Sequence, residues 1–192
     1  MFSWAWSWVK GILEKWGWKN KNGIVIFLGL DGAGKTTLLG LLKNGKIIPQ
    51  EPTNHPVKET FNVENLTISA YDMGGHVEAR GLWKEYIVSA NAIIFIVDVF
   101  NRARIEEARE ELEKILREQQ QHYLPILILG NKIDIPDSMG EAELKDSLGI
   151  RSLCTGKQTV KVRNARPLEV FMCSMAKGRG YGEGMRWLSQ LF

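Results

Sequence analysis

The chain has 192 residues, 44% of them hydrophobic and 24% charged, the proportions of one soluble domain with enough apolar residues for a full core. Its two cysteines, Cys154 and Cys173, show no metal-like CxxC spacing, which excludes a disulfide framework and points to a reducing cytosolic setting. The net charge of +3 sits in the segment 1–22, where Lys10, Lys15, Lys19 and Lys21 stand against one acid, Glu14. A basic segment on a neutral remainder predicts an anionic partner for that segment and no nucleic-acid partner.

The opening MFSWAWSWVKGILEKWGWK carries five of the seven tryptophans. It lacks the basic leader, long apolar core and small-residue cleavage site of a signal peptide. Lys10, Glu14 and Lys15 interrupt it too early for a membrane span of ~20 apolar residues. On a helix, at about 100° per residue, Phe2, Trp6, Trp8, Val9, Ile12, Leu13 and Trp16 share one arc. Ser3, Ser7, Lys10 and Glu14 lie opposite, with Trp4 and Lys15 at the margin. Trp18 falls on the polar side, so the predicted helix ends near Gly17. Indoles on one face and lysines beyond its edges suit a bilayer interface, so residues 1–18 are predicted to bind a membrane surface bearing anionic lipid. The alternative is a helix docked on the domain's own core. Phe2 stands where N-myristoylation needs glycine, which excludes that anchor. A polar run from Lys19 reads as a linker, so the chain divides into an N-terminal segment over 1–22 and a domain over 23–192.

In the domain, Ile24–Leu28 is a short β-branched run that fits a buried parallel strand. The spacing predicts a helix over Lys35–Lys43, and a hairpin of strands Thr60–Val63 and Leu66–Tyr71. Ala92–Val99 and Pro125–Gly130 read as buried strands with a long charged helix, Arg104–Gln121, between them. A sixth strand is predicted at Leu168–Cys173 and a closing helix at Gly184–Leu191. Strands alternating with helices imply an α/β fold, a mixed but mostly parallel six-stranded sheet flanked by helices, with its ligand at the carboxyl ends of the strands.

Chemistry enters at Gly29-Leu-Asp-Gly-Ala-Gly-Lys-Thr36, a G-x-x-x-x-G-K-[ST] match that follows a strand and opens a helix. Its glycines let backbone N–H groups turn in on phosphates at a helix N-terminus. Asp31, Gly32, Ala33, Gly34, Lys35, Thr36 and Thr37 are the predicted nucleotide-contacting run. Lys35 should reach the β- and γ-phosphates, with Thr36 and Asp31 predicted as Mg²⁺ ligands. Asp72-Met-Gly-Gly-His76 ends the second hairpin strand. Asp72 is placed to hold the metal and Gly75 to offer its N–H to the γ-phosphate. His76, just beyond, could orient the attacking water; His55 and His122 read as ordinary surface or core histidines. Thr53, in the Pro-rich loop Gln50–Pro56, would join Mg²⁺ only when a γ-phosphate is present. Asn131-Lys132-Ile-Asp134 caps a buried strand. A carboxylate there accepts guanine's N1–H and exocyclic N–H, a donor pair adenine lacks, so Asp134 selects GTP over ATP. Ser174, Met175 and Ala176, after the sixth strand, could close over the base with backbone amides. No arginine in the phosphate loop or switch is obviously placed to neutralise transition-state charge, which predicts slow intrinsic hydrolysis.

Together GLDGAGKTTLL, PTNHP, DMGGHVEARGLWKEY, LILGNKID, NARPLEVFMCS and GYGEGMRWLSQ resemble the Arf/Sar family of small GTPases, and most closely its Sar branch, through essentially the whole chain. The resemblance implies a P-loop small-GTPase fold with an N-terminal amphipathic helix. It further implies GTP/GDP and Mg²⁺ as ligands, and a membrane switch that initiates COPII coats at the cytoplasmic face of the endoplasmic reticulum. Such a protein would cycle with the cytosol, with the Golgi as a second station. An inner coat subunit would supply an arginine beside His76, and a membrane-bound exchange factor would load GTP. Gly32 stands where the family has Asn, Val57 where it has Thr and Met73 where it has Leu; the tryptophan-rich N-terminus is also a departure. Other readings of the same residues are an Arf-like GTPase in another trafficking step, a module that binds GTP but scarcely hydrolyses it, and a metabolic phosphotransferase. Against the last, no acceptor pocket or lid is evident between Asp98 and Ile126.

Overall fold

The computed structural model describes residues 22–44, 56–63, 66–118, 124–158 and 165–191. The tryptophan-rich segment, the loop holding Thr53 and His55, His122, and the end predicted for the long helix at Gln121 lie outside these residues. Strand β1 (Asn22–Leu28) runs into helix α1 (Lys35–Asn44), followed by the hairpin of β2 (Val57–Val63) and β3 (Leu66–Asp72). Two short helices, α2 (Val77–Arg80) and α3 (Trp83–Ile87), lead to β4 (Ala92–Asp98) and, through a 3₁₀ turn at Arg102–Arg104, to α4 (Ile105–Glu118). Then come β5 (Ile126–Asn131), α5 (Glu141–Ser147), β6 (Leu168–Met172) and α6 (Tyr181–Ser189).

The sheet is six-stranded in the order β2-β3-β1-β4-β5-β6. β2 pairs antiparallel with β3, and the other neighbours pair parallel. That matches the mixed, mostly parallel sheet predicted. A parallel sheet buried on both faces explains why the central strands read as unbroken apolar runs instead of alternating ones. Val25, Phe27, Ile94, Ile96, Leu127 and Leu129 pack toward Leu38 and Leu42 of α1 and Trp187 and Leu188 of α6. The intervening residues Ile26, Leu28, Ile93, Phe95, Ile126 and Ile128 pack with Trp83, Leu112 and Leu144 of α3, α4 and α5.

Helix α4 shows why a highly charged sequence still forms a core element. Ala108, Leu112 and Ile115 recur at helical spacing and are buried, while Arg109 and Arg117 both reach Glu113 at 3.1 and 2.7 Å on the outer face. Such i,i+4 pairs add a few tenths of a kcal/mol each; the apolar stripe is what docks the helix.

Element boundaries differ from the sequence prediction in instructive ways. β2 begins at Val57, not Thr60, because cross-strand pairing with β3 reaches from Val57 to Asp72 and overrides the weak propensity of Lys58 and Glu59. The closing helix starts at Tyr181, ahead of the predicted Gly184, since Tyr181 is itself buried against the core. Helices α2, α3 and α5 were not predicted; each is too short to show a full period.

The outer strand β6 carries a buried acid, Glu169, at 2% exposure. One oxygen accepts from Lys145 Nζ of α5 at 2.6 Å, the other from the Gly156 N–H at 2.8 Å. Glu169 thus ties the segment before β6 to the sheet edge, where Thr155 N–H also donates to Leu168 O. Removing one member of a buried pair leaves a charge without compensation. Lys145→Ala is therefore expected to lower the unfolding free energy by about 3 kcal/mol, read from urea titration of the nucleotide-loaded protein; an unchanged midpoint would show that Glu169 is solvated in solution.

Candidate functional site

Because the strands from β3 to β6 run parallel, their carboxyl ends deliver Leu28, Asp72, Asp98, Asn131 and Met172 to one edge of the sheet, the place where open α/β sheets bind ligands. The phosphate loop leaves β1 at Gly29, whose φ of +134° and close approach to β4 admit only glycine: a Cβ would lie 2.2 Å from the Ile96 carbonyl oxygen. Gly34 is equally constrained, with φ +111° and a Cβ position 2.5 Å from Asn131 Nδ2. Gly32 is also left-handed but faces open space, so the family's Asn, which tolerates that conformation, would fit there.

Lys35 is buried at the start of α1 and donates to the Gly29 and Leu30 carbonyls at 2.9 Å each. Burial pushes its ammonium down to about 8, against the opposing pull of Asp72 and Asp31. One residue on, Thr36 Oγ1 donates to Asp72 Oδ2 at 2.6 Å. These two hard oxygen donors from α1 and the end of β3 form the kind of pair that suits Mg²⁺, and the residues present fit that ion. Among the described residues, no group of three or more His, Cys, Asp and Glu gathers as a metal site. Asp31 does not join the pair through its carboxylate. That group faces Arg104 at 2.8 Å and Arg80 at 4.0 Å, and the hydrogen bond from Arg104 holds it below the usual carboxylate range.

The DMGG turn packs directly on the phosphate loop. A Cβ at Gly75 would fall 2.2 Å from the Asp31 backbone nitrogen and 2.6 Å from Lys35 Nζ. The turn is pinned from behind by Trp83, whose indole N–H donates to the Gly74 carbonyl at 3.0 Å. His76 follows as the N-cap of α2, half-buried.

On the other side of the loop, Asn131 is buried and its side chain turns inward. Nδ2 donates to the Ala33 carbonyl at 2.8 Å and Oδ1 accepts from the Met175 N–H at 3.1 Å. Lys132, at φ +76°, crosses to Asp98 at 2.6 Å. Asp134 Oδ1 accepts from Ser174 Oγ at 2.5 Å, and this bond keeps the carboxyl below its ordinary value, so it is present as an acceptor. Ser174 in turn accepts the Lys177 N–H at 3.0 Å. Met175 is buried and Ala176 exposed. Thr37 lies half-buried in the first turn of α1. The predicted residues within the described chain thus converge on one edge; Thr53 lies outside it.

The sequence reading passed over two arginines. Arg80 and Arg104 come to the loop from α2 and from the turn before α4, and both are engaged by carboxylates. Arg80 lies within the DMGGHVEAR run, but the acids that engage it are on α4, and no spacing rule links Arg80, Arg104 and Asp31. Neither cysteine is poised for chemistry: burial raises Cys154 to about 11 and Cys173 to about 12, and both are free.

The profile of the ADP-ribosylation factor family matches residues 9–192. A protein of Giardia intestinalis named small COPII coat GTPase SAR1 is 39% identical over 185 residues, which cover 96% of this chain and 97% of the relative. One of the same name from Nicotiana tabacum is 37% identical over 96% of each chain.

The chain belongs to the Arf family of small GTPases.

The solved structure of the small GTPase Arl6 (BBS3) of Trypanosoma brucei, with the nucleotide analogue GppNp bound, superposes with a TM-score of 0.75 at 28% identity, over 88% of this chain and 96% of that one. As an Arf/Sar GTPase, the protein binds guanine nucleotide and hydrolyses GTP to GDP and phosphate. Among the family departures, Met73 is fully buried in the core, while Val57 is 45% exposed at the start of β2. The base-selecting role predicted for Asp134 has a direct check. Asp134→Asn replaces an acceptor-only group by an amide, and two lost charge-assisted bonds are worth about 3 kcal/mol or more. GTP affinity should fall at least about a hundredfold. Xanthosine triphosphate, whose 2-oxo group accepts from the new amide, should bind in preference; competition against a fluorescent GDP measures both.

Proposed function

We propose that this GTPase is a GTP/GDP-controlled membrane switch that recruits the COPII coat for vesicle budding at the cytoplasmic face of the endoplasmic reticulum. It would cycle with the cytosol and reach the Golgi as a second station. The observation that carries a switch is the seat of Gly75 on the phosphate loop, within van der Waals reach of Asp31 N and Lys35 Nζ. In this reading the position of the turn depends on what the loop holds. The COPII assignment draws on the two relatives named small COPII coat GTPase SAR1.

In this reading the nucleotide lies on Asp31, Gly32, Ala33, Gly34, Lys35, Thr36 and Thr37. The base is read by Asp134, with Lys132, Ser174, Met175 and Ala176 around it; Asn131 acts by tying the loops. Thr36, Asp72 and Thr53 would hold Mg²⁺, which when bound neutralises phosphate charge; Asp31 contributes its backbone N–H, its carboxylate being engaged by arginine. Lys35 stabilises charge on the β- and γ-phosphates, Gly75 N–H senses the γ-phosphate, and His76 orients the attacking water. Arg80 and Arg104 are neutralised by Glu107, Glu111 and Asp31, so intrinsic hydrolysis is slow and an inner coat subunit supplies the missing arginine. A membrane-bound exchange factor loads GTP, and residues 1–18 bind anionic lipid as an N-terminal segment separate from the domain. Among the described residues, no helix is long and apolar enough to cross a membrane.

Two experiments test this. His76→Gly should slow single-turnover hydrolysis, with and without the inner coat, at least about tenfold while leaving GDP affinity unchanged; an equal rate would remove His76 from the mechanism. Deleting residues 1–18 should abolish flotation with anionic liposomes in the presence of a GTP analogue while nucleotide affinity stays nearly intact. A truncated protein that still floats would make the tryptophan segment structural.

A further inference from the structure

Arg80 is half-hidden in the sequence as the last residue of DMGGHVEAR, but it is the most heavily bonded side chain beside the switch turn. Its side chain is only 7% exposed. Nε donates to the Gly75 carbonyl at 2.8 Å. One terminal nitrogen reaches Glu107 at 2.6 Å and the other Glu111 at 3.3 Å, both on α4. Asp31 of the phosphate loop lies 4.0 Å away, bridged to the same cluster by Arg104, which binds Asp31 at 2.8 Å and Glu107 at 2.7 Å. Helix α4 is anchored by its buried stripe, so the two glutamates are a fixed mount.

The Gly75 carbonyl belongs to the peptide that joins Gly75 to His76. A planar peptide gripped at its oxygen fixes both flanking Cα atoms. The guanidinium fork is rigid and holds a carbonyl and two carboxylates from three separate nitrogens, whereas a lysine offers a single flexible point charge. We infer that Arg80 is a positioning residue for GTP hydrolysis: mounted on Glu107 and Glu111, it holds the Gly75–His76 peptide and so sets where His76 meets the attacking water. This deepens the proposed function and rests on its reading of His76. Without Arg80 the turn keeps Trp83 as its anchor through Gly74, so it should survive but lose its aim.

The test is single-turnover hydrolysis by full-length protein preloaded with GTP, alongside GDP dissociation and thermal melting. Arg80→Ala should slow hydrolysis about tenfold or more, since small misplacement of a reacting group is costly, with GDP dissociation within about twofold of wild type. Arg80→Lys should recover part of the rate, and Glu111→Gln should shift it in the same direction by less. The decisive comparison is the double variant His76→Gly/Arg80→Ala, which should hydrolyse no more slowly than His76→Gly alone because both changes remove one function. A wild-type rate in Arg80→Ala, a multiplicative loss in the double variant, or parallel loss of GDP binding and melting temperature would each overturn the inference. The proposed function fails separately, if His76→Gly alone leaves the rate unchanged. Should Arg80→Ala prove insoluble, Glu111→Gln with and without His76→Gly carries the same comparison.

Discussion

The Asn131 carboxamide holds the site together. It is buried at the end of β5 and bonded to Ala33 in the phosphate loop and Met175 in the last loop, so three chain segments distant in sequence share one planar group. Each of these bonds is unremarkable in strength, about 1 kcal/mol net, but leaving any partner buried without it costs more than the bond contributes. The three loops therefore keep a common geometry, and the distance between the phosphate loop and the loop that carries Ser174 and Met175 is set by the protein's own bonds.

The opposite side of the loop is organised by charge. Asp31, Glu107 and Glu111 surround Arg80 and Arg104, and Glu107 is held down to about 2 by Arg104 first and Arg80 after it. Glu107 is a third exposed, so this lowered value speaks for close pairing more than for large stabilisation. The cluster's importance lies in direction. It joins α4, docked on the sheet by its buried stripe, to the DMGG turn that packs on the phosphate loop.

Much of this was legible in the sequence because a parallel sheet puts strand ends, and hence motifs that follow apolar runs, on one edge. Gly29–Thr36, Asp72 with Gly75, and Asn131–Asp134 could be placed together from order alone. Arg80 could not: its partners lie on α4, and tertiary pairing across that distance leaves no periodic trace. The short helices α2 and α3 left no period to read either, and α3 docks through the buried Trp83 and Ile87. Asn131 was visible as a motif residue, but its inward amide was not. Asp31 is a candidate metal ligand by its place in the loop, but its pairing with Arg104 left no trace in the sequence.

The phosphate loop's own hydrogen bonds sort its dipoles. The carbonyls of Gly29 and Leu30 accept from Lys35, that of Asp31 from Arg104, that of Ala33 from Asn131, and that of Gly34 from the Leu38 N–H. Five carbonyls of the loop are thus satisfied inside the protein, and the Ala33 N–H closes the loop on the Leu30 carbonyl. Fewer carbonyl oxygens are then left to repel an approaching polyanion. The backbone of the loop is thus oriented by bonds made at folding, within the protein itself.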